Sequence, residues 1–171
     1  MNGTRKIKNR LTEWIVANQA NLYRLAYSYV KNENDALDVV QDSLYKAFKS
    51  LKQIHEEENI RPWIYRIVIN TSLDLLRKRK RSTPTDSEKI EGLQQGWLDN
   101  YANIDLFSCL DRLPVNYRHV IVLRYLEDLK ISEVAETVEE NVNTVKTRIY
   151  KALGMLRTML AQEEDNHEKN N

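Results

Sequence analysis

Apolar positions along this chain recur in steps of three and four, the spacing of helices with one buried side. A first helical block is predicted over residues 11–81. Within it, Leu22, Leu25, Ala26, Tyr29 and Val30 share one face. The run K-N-E-N breaks the pattern, and Asn34 is placed to cap the next helix. Over residues 35–51 the stripe is Leu37, Val40, Leu44, Ala47, Phe48 and Leu51. Residues 52–59 are polar, hold Glu56, Glu57 and Glu58, and predict a loop. Pro62 then falls in the first turn of a long helix, where its missing N–H costs nothing. Trp63, Ile64, Ile67, Val68, Leu75 and Leu76 form its inward side, with Trp63 read as core rather than as a stacking platform. The helix closes on R-K-R-K-R at residues 77–81.

Periodicity is lost over residues 82–104, where polar residues dominate with Pro84, Gly92 and Gly96. About twenty residues without a pattern are too many for an internal loop. This stretch predicts a flexible linker, with Trp97 and Leu98 able to dock. Beyond it, Leu106, Phe107, Leu110 and Leu113 mark a short helix near Ile104, closed by Pro114. Val120, Ile121, Leu123 and Leu126 lie in a helix over 115–126. Two further helices, 131–138 and 142–161, are separated by E-E-N, and the polar tail after Gln162 is expected to fray. With only 4 Gly and 3 Pro, and long runs of good helix formers, the chain predicts an all-α fold. Two small helical domains, 1–81 and 105–171, are joined by the flexible linker 82–104.

Composition narrows the class. Apolar residues at 42% and charged residues at 30% supply real cores and argue against general disorder. A single cysteine, Cys109, permits no internal disulfide and points to a reducing setting. Beside Phe107 and Leu110 it reads as a packed, inert thiol. The basic N-terminus leads into no apolar stretch of signal-peptide length, and later apolar runs are broken well short of a membrane span. A cytoplasmic protein is expected. His55, His119 and His167 are scattered, and no nucleophile–base pair, metal-ligand spacing or glycine-rich phosphate loop appears. Neither an enzyme, a metal, a cofactor nor a small-molecule substrate is expected.

Charge changes the picture more. The net +1 covers 16 Lys/Arg against 9 Asp/Glu in residues 1–81, 1 against 4 in 82–104, and 9 against 12 in 105–171. Yet residues 141–161 hold Lys146, Arg148, Lys151 and Arg157 with no acid. Basic charge is concentrated on two segments, as phosphate contact requires.

The most specific pattern is K-I-S-E-V-A-E-T-V-E-E-N-V-N-T-V-K-T-R-I-Y-K-A-L, which has helix-turn-helix spacing. Ile131, Val134, Ala135 and Val138 face inward on the first helix, and the small Ala135 allows a close crossing. Val142 and Val145 pack the turn and second helix, followed by Ile149, Leu153 and Leu156. Asn141 is a candidate cap for the second helix. Thr144, Lys146, Thr147, Arg148, Tyr150 and Lys151 are left outward, able to meet base edges and phosphates in a major groove. An ordinary helical hairpin with a solvated basic face is the plainer reading. On the helix over 35–51, Asp38, Gln41, Asp42 and Tyr45 line one face, either as solvated surface or as a docking strip for a basic partner. On the long helix Arg66, Asn70 and Arg77 share a face. Asn70 suits base recognition and the basic run suits phosphates, although that run also complements the helix dipole.

The segments A-L-D-V-V-Q-D-S-L-Y-K-A-F, R-P-W-I-Y-R-I-V-I-N-T-S-L-D-L-L-R-K-R and L-P-V-N-Y-R-H-V-I-V-L-R-Y-L-E-D-L-K-I-S-E-V-A, followed by V-N-T-V-K-T-R-I-Y-K-A-L, resemble an extracytoplasmic-function sigma factor. The resemblance runs from about Leu22 to Leu160. It implies the two-domain minimum of that family, an alternative sigma factor directing promoter-specific transcription, with a role in stress response. Asp38, Gln41, Asp42 and Tyr45 would then grip the β′ coiled coil of core RNA polymerase, whose β subunit is also a partner. Arg61, Arg66, Asn70, Arg77 and Lys78 would serve the −10 element, with the loop 52–60 at the flipped base. Thr144, Lys146, Thr147, Arg148, Tyr150 and Lys151 would read the −35 element of promoter DNA. A membrane-anchored anti-sigma factor is an implied partner. Where the family often has glycine this chain has Glu139 and Asn143, and the flipped-base loop is unusually acidic. A dimeric helix-turn-helix regulator is the alternative, and it has no use for the Asp38–Gln41–Asp42 strip.

Overall fold

The computed structural model of the chain describes residues 2–54, 59–82 and 101–169. Contacts divide the chain into two compact units, Met1–Gly92 and Leu93–Asn171. Both are helical, and no strand occurs among the described residues.

In the first unit, α1 (Asn2–Val30), α2 (Glu33–Lys49) and α3 (Ile60–Ser82) each pack on the other two. α1 reaches back to Asn2, beyond the block expected from Leu11, because Ile7, Leu11 and Ile15 extend its buried stripe. It bends at Asn18 (φ −123°, ψ 18°), whose amide donates to the Trp14 carbonyl at 2.8 Å. A side chain inserted into the ladder is a recognised cause of such bends. Lys31 then takes a left-handed φ of 55°. The cap of α2 is Asn32, not Asn34: its Oδ1 accepts from the Asp35 N–H at 3.0 Å.

The buried stripe of α2 is also shifted by one residue from expectation. Asp35, Ala36, Val39, Ser43 and Ala47 are buried, whereas Leu37 is 51% exposed. Val40, Leu44 and Phe48 are half-buried at its edge, and Leu51 is buried as expected. Small residues at 36, 43 and 47 let α2 lie close against its neighbours. Close approach therefore outweighs burial of the larger Leu37.

Leu51–Gln53 forms a single 3₁₀ turn and Ile54 is buried. Glu56, Glu57 and Glu58 lie outside the described residues. On α3, Pro62 stands in the first turn as expected. Its buried side is Ile60, Pro62, Ile64, Tyr65, Val68, Ile69, Thr71 and Ser72. Trp63, Ile67, Leu75 and Leu76, expected to look inward, are only half-buried. Tyr65, fully buried, takes the central place, and Trp14 meets its ring edge-on at 6.0 Å. Two cross-links make α2 and α3 antiparallel: Asp35 to Arg79, and Lys46 Nζ donating to Thr71 Oγ1 at 3.1 Å.

The second unit holds α4 (Tyr101–Arg112), α5 (Val115–Ile121), a π turn (Val122–Leu126), α6 (Ile131–Val138) and α7 (Val142–Lys169). α4 starts at Tyr101, ahead of Ile104. The single helix expected over 115–126 is α5 followed by the π turn, closed by the Glu127 N–H on the Val122 carbonyl at 3.0 Å. Arg124 Nη1 donates to the Leu129 carbonyl at 3.1 Å, and Asp128 adopts φ 50°. Together these turn the chain so that Leu129 is fully buried. α7 contacts α4, α5 and α6. It runs to Lys169 instead of fraying after Gln162, and Glu163 pairs with Arg112 of α4 at 2.8 Å. Cys109 is fully buried in the core with Leu113, Val120, Leu123, Val134, Val145 and Leu156. Residues 83–100, the bulk of the expected linker with Trp97 and Leu98, lie outside the described residues.

Candidate functional site

On α2, Asp38, Gln41, Asp42 and Tyr45 are all exposed. Lys46 Nζ lies 3.0 Å from Asp42 Oδ2, and Lys49 Nζ lies 5.9 Å from the centroid of the Tyr45 ring, which is 66% exposed. The turned helix places Leu37 beside them. The strip therefore combines two carboxylates and an amide with two exposed apolar side chains. That mixture suits a docking face better than a purely solvated one.

On α3 the first turn holds Arg61, whose N–H donates to Asn59 Oδ1 at 3.2 Å and whose guanidinium lies 5.8 Å from the Tyr65 ring centroid. Arg66 is half-buried, and Asn70, Arg77 and Lys78 are exposed. Arg77 pairs with Asp74 at 3.1 Å. Trp63 precedes Arg66, Asn70 and Arg77 by three, seven and fourteen residues, so a helix puts all four on one face. Within the basic run, Arg79 turns back: Nη2 donates to Asp35 Oδ1 at 2.6 Å. Its Nη1 lies 2.6 Å from Oδ2, an ion pair outside hydrogen-bond angles.

In the second unit α6 and α7 meet as the pattern required. The Lys130 N–H donates to Glu133 Oε2 at 2.9 Å at the start of α6. At its end Glu139 adopts φ 56°, with the Glu140 N–H on the Ala135 carbonyl at 3.0 Å and the Glu139 N–H on that of Glu136 at 3.4 Å. This is a Schellman closure without glycine. Asn141 Oδ1 accepts from the Thr144 N–H at 2.8 Å and caps α7. Val134, Ala135, Val145, Ile149 and Leu156 are buried as expected. Val142 and Leu153 are not: they are 39% and 38% exposed, and Ala152 is buried in the place expected for Leu153. A smaller residue at that contact brings α7 nearer its neighbours.

Lys146, Thr147, Tyr150 and Lys151 are exposed, Tyr150 by 82%, while Thr144 is half-buried. Thr147 Oγ1 donates to the Asn143 carbonyl at 3.0 Å. Arg148 departs from this outward set. It is half-buried, and its Nη2 donates to Glu140 Oε1 at 2.5 Å across the turn. Its charge reaches His119, whose pKa is pushed down to about 4 by burial first, then by the Arg118 and Arg148 charges.

Residues 14–82 match Sigma-70 region 2 and residues 104–156 match Sigma-70, region 4. The RNA polymerase sigma factor SigV of Bacillus subtilis (strain 168) is 46% identical over 157 residues, which cover 92% of this chain and 95% of that protein. The ECF RNA polymerase sigma factor SigW of the same organism is 31% identical over 81% of this chain and 82% of its own length. The chain belongs to the extracytoplasmic-function sigma factors. Its fold is shared with CnrH, solved in complex with the cytosolic domain of CnrY, at a TM-score of 0.69 and 25% identity over 91% of this chain and 90% of that one. It is shared too with the sigma factor RpoE of Bartonella quintana, solved with the anti-sigma factor NepR, at a TM-score of 0.70 and 24% identity over 88% and 96%.

Three candidate residues of this sigma factor escaped the sequence reading. Leu37 and Trp63 were assigned to cores on apolar character, although the spacing of Trp63 from Arg66 and Asn70 already placed it on their face. Asn143 is exposed four residues before Thr147, so it shares the outward face of α7. Its signal was a short amide in the first turn of a recognition helix.

Proposed function

We propose that this sigma factor binds core RNA polymerase and directs it to a specific set of promoters. The observation that carries the reading is one chain joining three surfaces. An acidic, partly apolar strip lies on α2, a polar face leads to a basic end on the antiparallel α3, and a helix-turn-helix carries no acid over residues 142–161 of α7. A duplex-binding regulator needs only the last.

Residues 1–81 take the polymerase and the −10 element, 82–104 link, and 105–171 take the −35 element and the β subunit. Asp38, Gln41, Asp42 and Tyr45, with Leu37, dock on the β′ coiled coil: complementary charge sets register and apolar contact supplies affinity. Arg61, Arg66, Arg77 and Lys78 hold phosphates at the −10 element while Asn70 meets a base edge. Trp63 on the same face offers a stacking surface for a melted base. Thr144, Lys146, Thr147, Tyr150 and Lys151 enter the −35 major groove. Arg148, held by Glu140, reaches it from the edge.

Among the described residues no helix is long and apolar enough to cross a membrane. We place the protein's work in the cytoplasm, as an initiation factor and not as an enzyme. A membrane-anchored anti-sigma factor fits as the negative regulator in a stress response, since CnrH is bound by a cytosolic domain. Run-off transcription with core polymerase over a promoter library tests the reading. Transcripts from a defined promoter class are expected. No transcript from any promoter with core bound overturns it, and tight duplex binding without polymerase favours the dimeric regulator.

A further inference from the structure

We infer that Asp35 and Arg79 form a latch fixing the polymerase-facing helix against the DNA-facing helix. Arg79 is thus a positioning residue and not a phosphate ligand. The inference rests on the proposed roles of α2 and α3.

Arg79 lies between Lys78 and Lys80 in the basic run and by sequence is one more phosphate contact. Its guanidinium instead meets Asp35, 44 positions away in sequence, through both nitrogens at 2.6 Å. One nitrogen donates a hydrogen bond and the other adds only close opposite charge, a two-point contact that a single ammonium cannot reproduce. Asp35 is held from the other side as well, its N–H bonded to Asn32 Oδ1 at 3.0 Å, and it is 8% exposed. A buried carboxylate stripped of its partner is costly, so Arg79 is not free to leave for a phosphate. Asp35 sits in the first turn of α2 and Arg79 in the last turns of α3. Each charge therefore also complements the dipole of its own helix.

The consequence is mechanical. Asp35 stands one turn ahead of Asp38, at the start of the strip proposed to grip polymerase. Arg79 stands between the exposed cations Lys78, Lys80 and Arg81. Lys46, which touches both Asp42 and Thr71, is a second tie between the same helices. Together the two cross-links hold the basic end of α3 in a set place on the polymerase. Promoter opening depends on that placement, which binding to core alone does not need.

The test uses full-length protein assembled with core polymerase. Asp35→Asn, Arg79→Gln and the double variant are compared with Lys80→Gln by permanganate footprinting of promoter opening and by the salt dependence of promoter binding. Affinity for core is expected to stay within about twofold, and opening to fall about tenfold in each single variant with the double no worse. The salt slope is expected to hold for Arg79→Gln but to fall by about 0.9 for Lys80→Gln. If Arg79→Gln lowers the slope as Lys80→Gln does, while Asp35→Asn opens normally, the latch is wrong. Defects that multiply in the double variant overturn it too. Should Arg79→Gln fail to fold by circular dichroism, Arg79→Lys decides. It keeps the charge but loses the fork, so reduced opening at unchanged slope supports the latch and wild-type opening refutes it. Failure of the wild-type holoenzyme to open any promoter would instead sink the functional reading itself.

Discussion

His119 shows how a side chain outside the DNA-facing surface governs the domain that carries it. Its folded pKa, about 4, lies below the ordinary imidazole value of 6.5 through burial and then the Arg118 and Arg148 charges. A histidine depressed in the fold is neutral there, so its stabilising contribution is complete above pH 6.5 and is lost as pH falls toward 4. In that window the unfolded chain binds more protons than the folded one. Between pH 7 and pH 5 the second unit is expected to lose on the order of 2 kcal/mol through this group. Denaturant melts followed at both pH values check it: His119→Gln should remove most of that difference, and an unchanged pH dependence would show another group responsible. Arg148 belongs to the same local balance, since its charge disfavours the imidazolium while Glu140 holds it in place. The sequence shows an acid-free run here. Only the structure shows that one of its cations is turned toward the turn.

At the scale of elements, the turn between α6 and α7 is closed by a non-glycine residue in the left-handed region. Glu139, with φ 56°, is placed there by the Schellman bonds and by the cap at Asn141. A side chain with a Cβ in that region costs about 1 kcal/mol. Glu139→Gly is therefore expected to stabilise the second unit by up to about 1 kcal/mol, read from the midpoint of urea unfolding, with the recognition helix unmoved. A loss of stability would mean that the Glu139 side chain contributes more than its backbone strain costs. Helix existence and most helix starts followed from periodicity and capping residues. The misplaced buried stripes have one physical cause: where two apolar stripes lie one residue apart, as at Ala36/Val39/Ser43 against Leu37/Val40/Leu44, periodicity cannot choose between them. Small residues decide the matter by how closely helices approach.

At the scale of the whole molecule, two sets of charges are predicted to do separable work. Asp42→Arg reverses charge on the α2 strip and is expected to weaken assembly with core polymerase by at least about tenfold. It should leave the salt slope of promoter binding by any assembled holoenzyme unchanged. Lys151→Gln is expected to do the opposite, leaving assembly intact and lowering the slope by about 0.9, one phosphate contact. Fluorescence titration with labelled core and filter binding across salt separate the two. Loss of both properties in either variant would contradict the division.

Sequence by itself determined the all-helical class, the helix-turn-helix and the family, because each rests on local spacing that a single helix or turn enforces. The cap at Asn141, the buried Ala135 and the outward Lys146, Thr147, Tyr150 and Lys151 were legible for that reason. Tertiary structure alone decided which apolar residues stay outside, as with Leu37 and the half-exposed Trp63. It also decided which charges are tied to a partner carboxylate. Arg79 and Arg148 look like their neighbours in the chain, and their partners, Asp35 and Glu140, are chosen by how helices cross and how a turn closes. A basic run states that charge is present; packing determines which of its members remain available to DNA.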